Sequence, residues 1–463
     1  MKKIIFSTLL AISLATPALA KESSYIDKVT KLWTLKTNGL IEFNTTKVED
    51  GYKLKIYFKN RLYNKLLSGK EVKLKVDEGP LITTPKVMFG IAGLSSKGSV
   101  LDILNDNFKK DLTKDIKSKV EYNYDATISY SKKFNSKLRV SPVVIDNNTS
   151  FIFKMSKIVD ESNFDLDSFT GRDILTIKSI EIKPKKEEGK LLIKDLSIDS
   201  KITQEPIKDY MLFANTNISI ADFDFTGKLP STLKHIKLSI NASSDTVRVD
   251  RDLMDIKLAY NIKAKDEKTI ALAKGVKESK FKLELKNLGI DGVIGFAKFS
   301  DKVDKAQEKI YLASASGNKD DMKKAYANLQ EITNSIVPLW NKTFITNKSK
   351  ILLDLELKSD KTSYIKLDLT YKGKPLSGNI QSAMLSLASQ QLELFDGTFD
   401  IVVDSSIASA VNPFAIMGLD MLKSKGFATL KDGLYRFKGE LKGGKIVING
   451  KEYTLPELSR ALF

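Results

Sequence analysis

Cysteine is absent from this 463-residue chain, histidine occurs once, tryptophan twice and proline 11 times. Without cysteine there is no disulfide, no thiol nucleophile and no thiolate metal site. An oxidising compartment permits disulfides without requiring them, so this absence does not argue against export. The single histidine, His235, has no HExxH-type partner and cannot build a histidine-rich metal site. Its default reading is a surface residue at the edge of a strand. No GxSxG elbow and no P-loop occurs. Ser314-Ala315-Ser316-Gly317 lacks the flanking strand and helix of a nucleophile elbow, and the glycine-rich stretch from Gly90 to Gly98 lacks phosphate-binding spacing. The expectation is therefore a protein that is not an enzyme, with no catalytic residue, no cofactor and no metal site.

What is present begins at the N-terminus. Lys2 and Lys3 precede an apolar run from Ile4 to Ala15 that only Ser7, Thr8 and Ser13 interrupt. Pro17 follows, and Ala18-Leu19-Ala20 offers the small residues a signal peptidase needs before Lys21. This is the three-part pattern of a cleavable signal peptide, with a core too short for a bilayer span. Ala18, Ala20 and Lys21 are the expected cleavage residues. No cysteine follows the run, so no lipid anchor is expected. The rest of the chain holds no other apolar run of spanning length, and a soluble mature protein without a transmembrane span is expected.

The charge is strongly basic, 75 Lys+Arg against 57 Asp+Glu. Lysine dominates, whereas a nucleic-acid reader favours arginine forks and stacked aromatics. The lysines are interleaved with acids along nearly every strand-like segment, as expected of a solvated sheet face. No nucleic-acid partner is expected. Attraction to anionic lipid headgroups or another anionic envelope polymer is the sharper alternative.

Alternation of apolar and polar residues recurs along the chain. Examples are Val72-Lys73-Leu74-Lys75-Val76, Ile236-Lys237-Leu238-Ser239-Ile240, Ile256-Lys257-Leu258-Ala259-Tyr260-Asn261-Ile262, Phe281-Lys282-Leu283-Glu284-Leu285, Leu353-Asp354-Leu355-Glu356-Leu357 and Ile365-Lys366-Leu367-Asp368-Leu369. Period two marks strands with one buried face. Lys442-Gly443-Gly444 and Asn449-Gly450 mark tight turns between antiparallel neighbours. Helices are expected over residues 24–35, 101–116, 320–340 and 405–423, the last lying against the concave or inner face of a sheet, with a partner-binding or membrane-dipping helix as the alternative. The acidic stretch Asp160-Glu161-Ser162-Asn163-Phe164-Asp165-Leu166-Asp167 lacks the glycine and final glutamate of a calcium loop and reads as a solvated loop. Leu191-Leu192-Ile193-Lys194-Asp195-Leu196-Ser197-Ile198-Asp199 parallels Leu283-Glu284-Leu285-Lys286-Asn287-Leu288-Gly289-Ile290-Asp291, a match short enough to arise by chance.

Two blocks carry a wider resemblance. One is Leu74-Lys75-Val76-Asp77-Glu78-Gly79-Pro80-Leu81, a strand that Gly79-Pro80 is expected to end. The other runs from Asp420 through Gly426-Phe427-Ala428-Thr429-Leu430 and Asp432-Gly433-Leu434-Tyr435-Arg436-Phe437 to Gly443-Gly444-Lys445-Ile446-Val447-Ile448-Asn449-Gly450. Together they resemble the YdgA-like family, the bacterial domain of unknown function 945. Residues 283–299, followed by a polar helix, are similar to the family's middle region. The resemblance implies an envelope protein with no assigned activity and supplies no catalytic residue. The chain departs from the family pattern at Glu78, where histidine is common, at Ile82, where proline is common, and in its cleavable rather than anchoring N-terminus.

The combined expectation is an α+β, β-rich fold: extended, curved antiparallel sheets with a few packed amphipathic helices. The expected organisation is a signal peptide over 1–20, an N-terminal β-rich region over 21–205 and a C-terminal β-rich region over 206–463. Its expected role is that of an exported, non-enzymatic cell-envelope protein in the periplasm, binding lipid or another apolar or anionic ligand in a sheet-lined groove. Display at the outer surface or secretion is the alternative location. The rival functions are a surface adhesin or envelope assembly scaffold and, behind it, a hydrolase with an unrecognised carboxylate site. Oligomeric state is left open.

Overall fold

The computed structural model describes residues 25–460 except 38–40, 50, 59–71, 84–87, 130, 148, 187, 208–210, 229–232, 390–391, 413, 455 and 458–459. The proposed signal peptide, with Ala18, Ala20 and Lys21, lies outside the described residues. The fold is α+β and β-rich, and the strand pairings are antiparallel. The chain divides into two compact units between Ser239 and Ile240. Residue 205, the end of the expected N-terminal region, falls inside a strand, β11 below.

In the first unit, helix α1 (Tyr25–Lys36) precedes β1 (Ile41–Val48), β2 (Gly51–Phe58), β3 (Val72–Thr83) and β4 (Met88–Ser99). A 3-10 turn (Val100–Ile103) and α2 (Asp106–Thr113) lead to β5 (Glu121–Ser129), β6 (Lys133–Val140), β7 (Val143–Asn147), β8 (Phe151–Met155) and β9 (Ile158–Asp165). Then come β10 (Gly171–Pro184), β11 (Lys190–Ile207) and β12 (Met211–Lys228). Strands β1 to β6 pair in sequence order, β6 pairs with β9, and β9 to β12 continue the ladder. The β7–β8 hairpin docks on the second half of β10.

Helix α1 forms as its pattern dictates. Ile26, Val29, Leu32 and Trp33 recur at helical spacing, and all four are buried. Trp33 packs against Phe43, Tyr124 and Phe134 at ring distances of 5.7, 6.1 and 6.3 Å. Around it lies one continuous core that includes Leu54, Leu74, Ile128, Phe134 and Phe164.

The expected helix over 101–116 is only the 3-10 turn and the short α2. Gly79-Pro80 does not end its strand. β3 runs on to Thr83, and its pairing with β4 shifts register between Glu78 and Leu81. A bulge accommodates a proline that has no N–H to give the ladder.

Strand β13 (Leu233–Arg248) carries the chain into the second unit. There β14 (Leu253–Ala264), α3 (Glu267–Leu272) and β15 (Glu278–Gly289) precede α4 (Ile290–Ser316), α5 (Lys319–Asn334) and α6 (Ile336–Thr343). Next are β16 (Lys350–Lys358), β17 (Thr362–Tyr371), α7 (Ile380–Ser389), β18 (Phe395–Asp404), α8 (Ser405–Val411) and α9 (Ala415–Ser424). The unit closes with β19 (Thr429–Lys431), β20 (Leu434–Lys442), β21 (Lys445–Ile448) and β22 (Lys451–Tyr453). The ladder runs β14–β15–β16–β17–β18–β20–β21–β22, with β19 beside β20. Both expected tight turns are in place. Gly443 and Gly444 have φ of 57° and 78°, and Asn449 and Gly450 have φ of 52° and 79°, values that suit hairpin turns.

Three more helix expectations need correction. The helix over 320–340 is two helices, α5 and α6, separated at Ser335, and the polar helix expected after Phe299 starts at Ile290 instead. The helix over 405–423 is also two, and the sequence places Pro413 between them, a residue that cannot continue a helix.

The short internal match has a structural counterpart. Asp195 and Asn287 occupy equivalent positions in it, and both are left-handed, with φ of 50° and 54°. In each copy the apolar phase slips by one residue there: Leu191 and Ile193 give way to Leu196 and Ile198, and Leu283 and Leu285 to Leu288 and Ile290. Strict alternation would turn the second pair to the opposite face. The left-handed residue takes up the slip. In the first copy neighbouring strands slip in step, since Leu196 pairs with Ile177 and Ile220, while Ile193 pairs with Ile180 and Phe223. In the second, β14 keeps its phase and its pairing with β15 shifts register between Met254 and Ile256.

Candidate functional site

The helices of the second unit gather at the ends of its strands. In antiparallel register, the C-terminus of β15, the N-terminus of β16 and the C-terminus of β17 share one end, where α4, α6 and α7 attach. Trp340 of α6 anchors that end. Its Nε1 donates to Tyr371 Oη at 3.2 Å, and its ring meets Phe344 at 4.4 Å. Tyr371 in turn packs on Phe395 at 5.8 Å. At the opposite end lie α3, between β14 and β15, and α8, which follows β18.

Between these ends, register aligns apolar side chains across the sheet. Leu258, Leu283, Leu353, Leu367 and Phe399 form one row. Tyr260, Phe281, Leu355, Ile365, Ile401 and Phe437 form the next. Ile256, Leu285, Ile351 and Leu369 form a third. Gly439 pairs with Phe399, and a Cβ there would stand 2.6 Å from its ring, so glycine makes room for that ring. Tyr260 and Phe281 stack at 5.1 Å with planes 13° apart. Every side chain in these rows is half-buried or exposed, Leu258 being 41% exposed. Alternation in the sequence marks the row residues of β14, β15 and β17 and Leu353 and Leu355 of β16, but not Ile351, Phe399 or Ile401. It could not show that the rows stay partly wet.

The opposite face is polar and largely paired. Lys280 meets Glu356 at 2.8 Å, Lys366 meets Asp354 at 3.7 Å and Arg436 meets Asp400 at 2.5 Å. Lys282 and Lys286 both reach Glu284, whose carboxyl they hold below its usual range against the opposing effect of burial.

A second polar cluster sits inside the first unit. Strand β9, the acidic stretch expected as a solvated loop, turns Ile158, Asp160, Ser162 and Phe164 inward. Two polar residues at inward positions disguised the alternation. Lys36, at the end of α1, reaches them, with its Nζ 2.6 Å from Asp173, 3.0 Å from Ser162 Oγ and 3.8 Å from Asp160. Ser162 Oγ donates to Asp173 at 2.5 Å. Burial raises the Asp160 carboxyl to about 6, with Lys36 pulling it down and Asp173 pushing it up. Burial also opposes the charge on Lys36, yet the two carboxylates outweigh that and hold its pKa above the usual value. The cluster ties the C-terminal end of α1 to β9 and β10.

Other sequence candidates stay apart. His235 is half-buried with its Nδ1 3.1 Å from Thr226 Oγ1 and 3.9 Å from Asp224. A shallow depression on β5, β6, β9 and β10 includes Asp125 and Glu161, which pair with Arg139 and Lys137. Among the described residues no group of three or more His, Cys, Asp or Glu could hold a metal ion, and no helix is long and apolar enough to cross a membrane.

Fold and site thus define a class: an antiparallel β protein that presents a half-exposed apolar sheet face between two groups of helices. The chain belongs to the family described as bacterial protein of unknown function (DUF945), whose model matches residues 68–456. No curated protein and no solved structure matches it.

Proposed function

We propose that this protein is exported through a signal peptide cleaved before Lys21 and works in the periplasm as a non-enzymatic lipid binder. The apolar rows on β14 to β20 accept the acyl part of the lipid. The observation that carries this reading is that a broad, continuous apolar sheet face is neither buried nor sealed by its own helices. Left wet, such a face costs about 25 cal/mol per Å² of apolar surface, which a hydrocarbon ligand would recover. The charged face favours this reading over a lysine-driven scaffold, because Lys280, Lys282, Lys286 and Lys366 are partnered within the sheet.

Native mass spectrometry of protein purified from the cell envelope tests the proposal. A co-purifying lipid is expected, reduced when Leu353 and Leu367 are both changed to Ser. A lipid-free mass, or equal lipid in that double variant, overturns it. Sequencing the mature N-terminus checks the export step separately, with Lys21 as the expected first residue.

A further inference from the structure

Helix α9 is an apolar element that the fold leaves uncovered. None of its residues is buried, although α8 beside it sinks Ile407 and Ala408. Val411, Phe414 and Met417 are 73%, 74% and 68% exposed, and Met421 is exposed as well. Phe414, Met417 and Met421 recur at three- and four-residue spacing and so share one stripe of the helix. Residues 405–419 contain no charged side chain. At the rim the charge turns positive, with Lys423 and Lys425 both exposed. The one acid on the helix, Asp420, accepts a hydrogen bond from Tyr435 Oη at 2.6 Å.

An apolar stripe without charge, bordered by lysines on a chain of net charge +18, is complementary to an anionic bilayer surface. We infer that the α8–α9 tip docks on anionic phospholipid, inserting Phe414 and Met417 among the acyl chains while Lys423 and Lys425 meet headgroup phosphates. Helix α7, at the other end of the strands, also exposes apolar side chains, Met384 and Leu385. It is followed by exposed Glu393 and preceded, six residues earlier, by exposed Lys374, so its border carries both signs rather than lysine alone. The inference goes beyond the lipid-binding reading and does not need it: a protein can dock on a bilayer without extracting lipid.

The test is sedimentation of the purified chain with vesicles of phosphatidylethanolamine containing phosphatidylglycerol, and with phosphatidylcholine vesicles. Binding to the anionic vesicles that weakens with salt is expected. Phe414→Glu combined with Met417→Glu should cut partitioning by about 100-fold or more, while the control Met384→Glu with Leu385→Glu should bind like the parent. Both altered pairs are exposed, and unchanged circular dichroism and melting would show that the variants fold. As a reporter, Phe414→Trp should be quenched by brominated acyl chains. No binding to anionic vesicles, equal binding by the Phe414/Met417 variant, or equal loss in the control overturns the inference. So does a parent chain that dimerises through this stripe, with the Phe414/Met417 variant monomeric and neither binding vesicles. Lipid-free protein that still docks on vesicles would sink the groove reading alone.

Discussion

The two units use the same strand pattern with different results. In the first, α1 lies on the sheet, and Leu54, Ile128, Phe134 and Phe164 are sealed beneath it. In the second, equally apolar strands keep Leu283, Leu353 and Leu367 half-exposed, because the helices attach at strand ends. Alternation therefore tells that a strand has an apolar face. Whether that face becomes core depends on where the connecting helices go.

This contrast can be attacked in several ways. The largest effect is expected from Trp33→Ala, which removes the centre of the first unit's core and should cost about 3–5 kcal/mol in urea unfolding followed by circular dichroism. Next comes pH. Asp160 is raised to about 6 from an ordinary 3.8, so the unfolded chain loses that proton first as pH rises. Its contribution to stability is full below about pH 4 and is lost as pH climbs through about 6, amounting to at most about 3 kcal/mol. Stability measured from pH 4 to 7 should fall more steeply in the parent than in Asp160→Asn. A parallel pair of curves would show that this carboxyl is not held high.

A smaller effect concerns the phase slip. Asp195→Val, at a left-handed position that a β-branched residue resists, should cost about 1–2 kcal/mol, whereas Asp195→Asn should be close to neutral in thermal melts. The smallest is Leu353→Ala, expected to cost about 1 kcal/mol because its side chain is half-buried rather than sealed. A cost matching Trp33→Ala would show that the second unit's apolar face is sealed after all, and the contrast would collapse.

Much of this was legible in the sequence, and the misses have physical causes. Strands β14 to β17 and helix α1 follow from apolar spacing alone, whereas β18 was not marked by it. The start of α4 was hidden by Gly292 and Gly295, which look like breakers. They are required by close packing, since a Cβ would stand 2.2 Å from Thr343 Oγ1 at one and 2.2 Å from Leu339 Cδ2 at the other. Strand β9 was hidden by Asp160 and Ser162, inward residues whose partner Lys36 lies more than a hundred residues earlier in the chain. The exposed stripe of α9 has the spacing of a buried face, and hydrophobicity in a sequence does not say what covers it. The apolar rows were visible residue by residue, but their half-exposure is a property of the assembled sheet.

The charged face of the second unit has one more consequence. Lys282, Asp354, Lys366, Asp400 and Lys438 stand opposite one another on consecutive strands, so that sign alternates from strand to strand. Skipping any one of the three inner strands would set two like charges side by side, such as Asp354 against Asp400, a destabilising cross-strand pair. The row thus acts as a parity check on strand order. It disfavours the omission of an inner strand or the exchange of two neighbouring ones, and it uses three of the lysines that make this protein so basic.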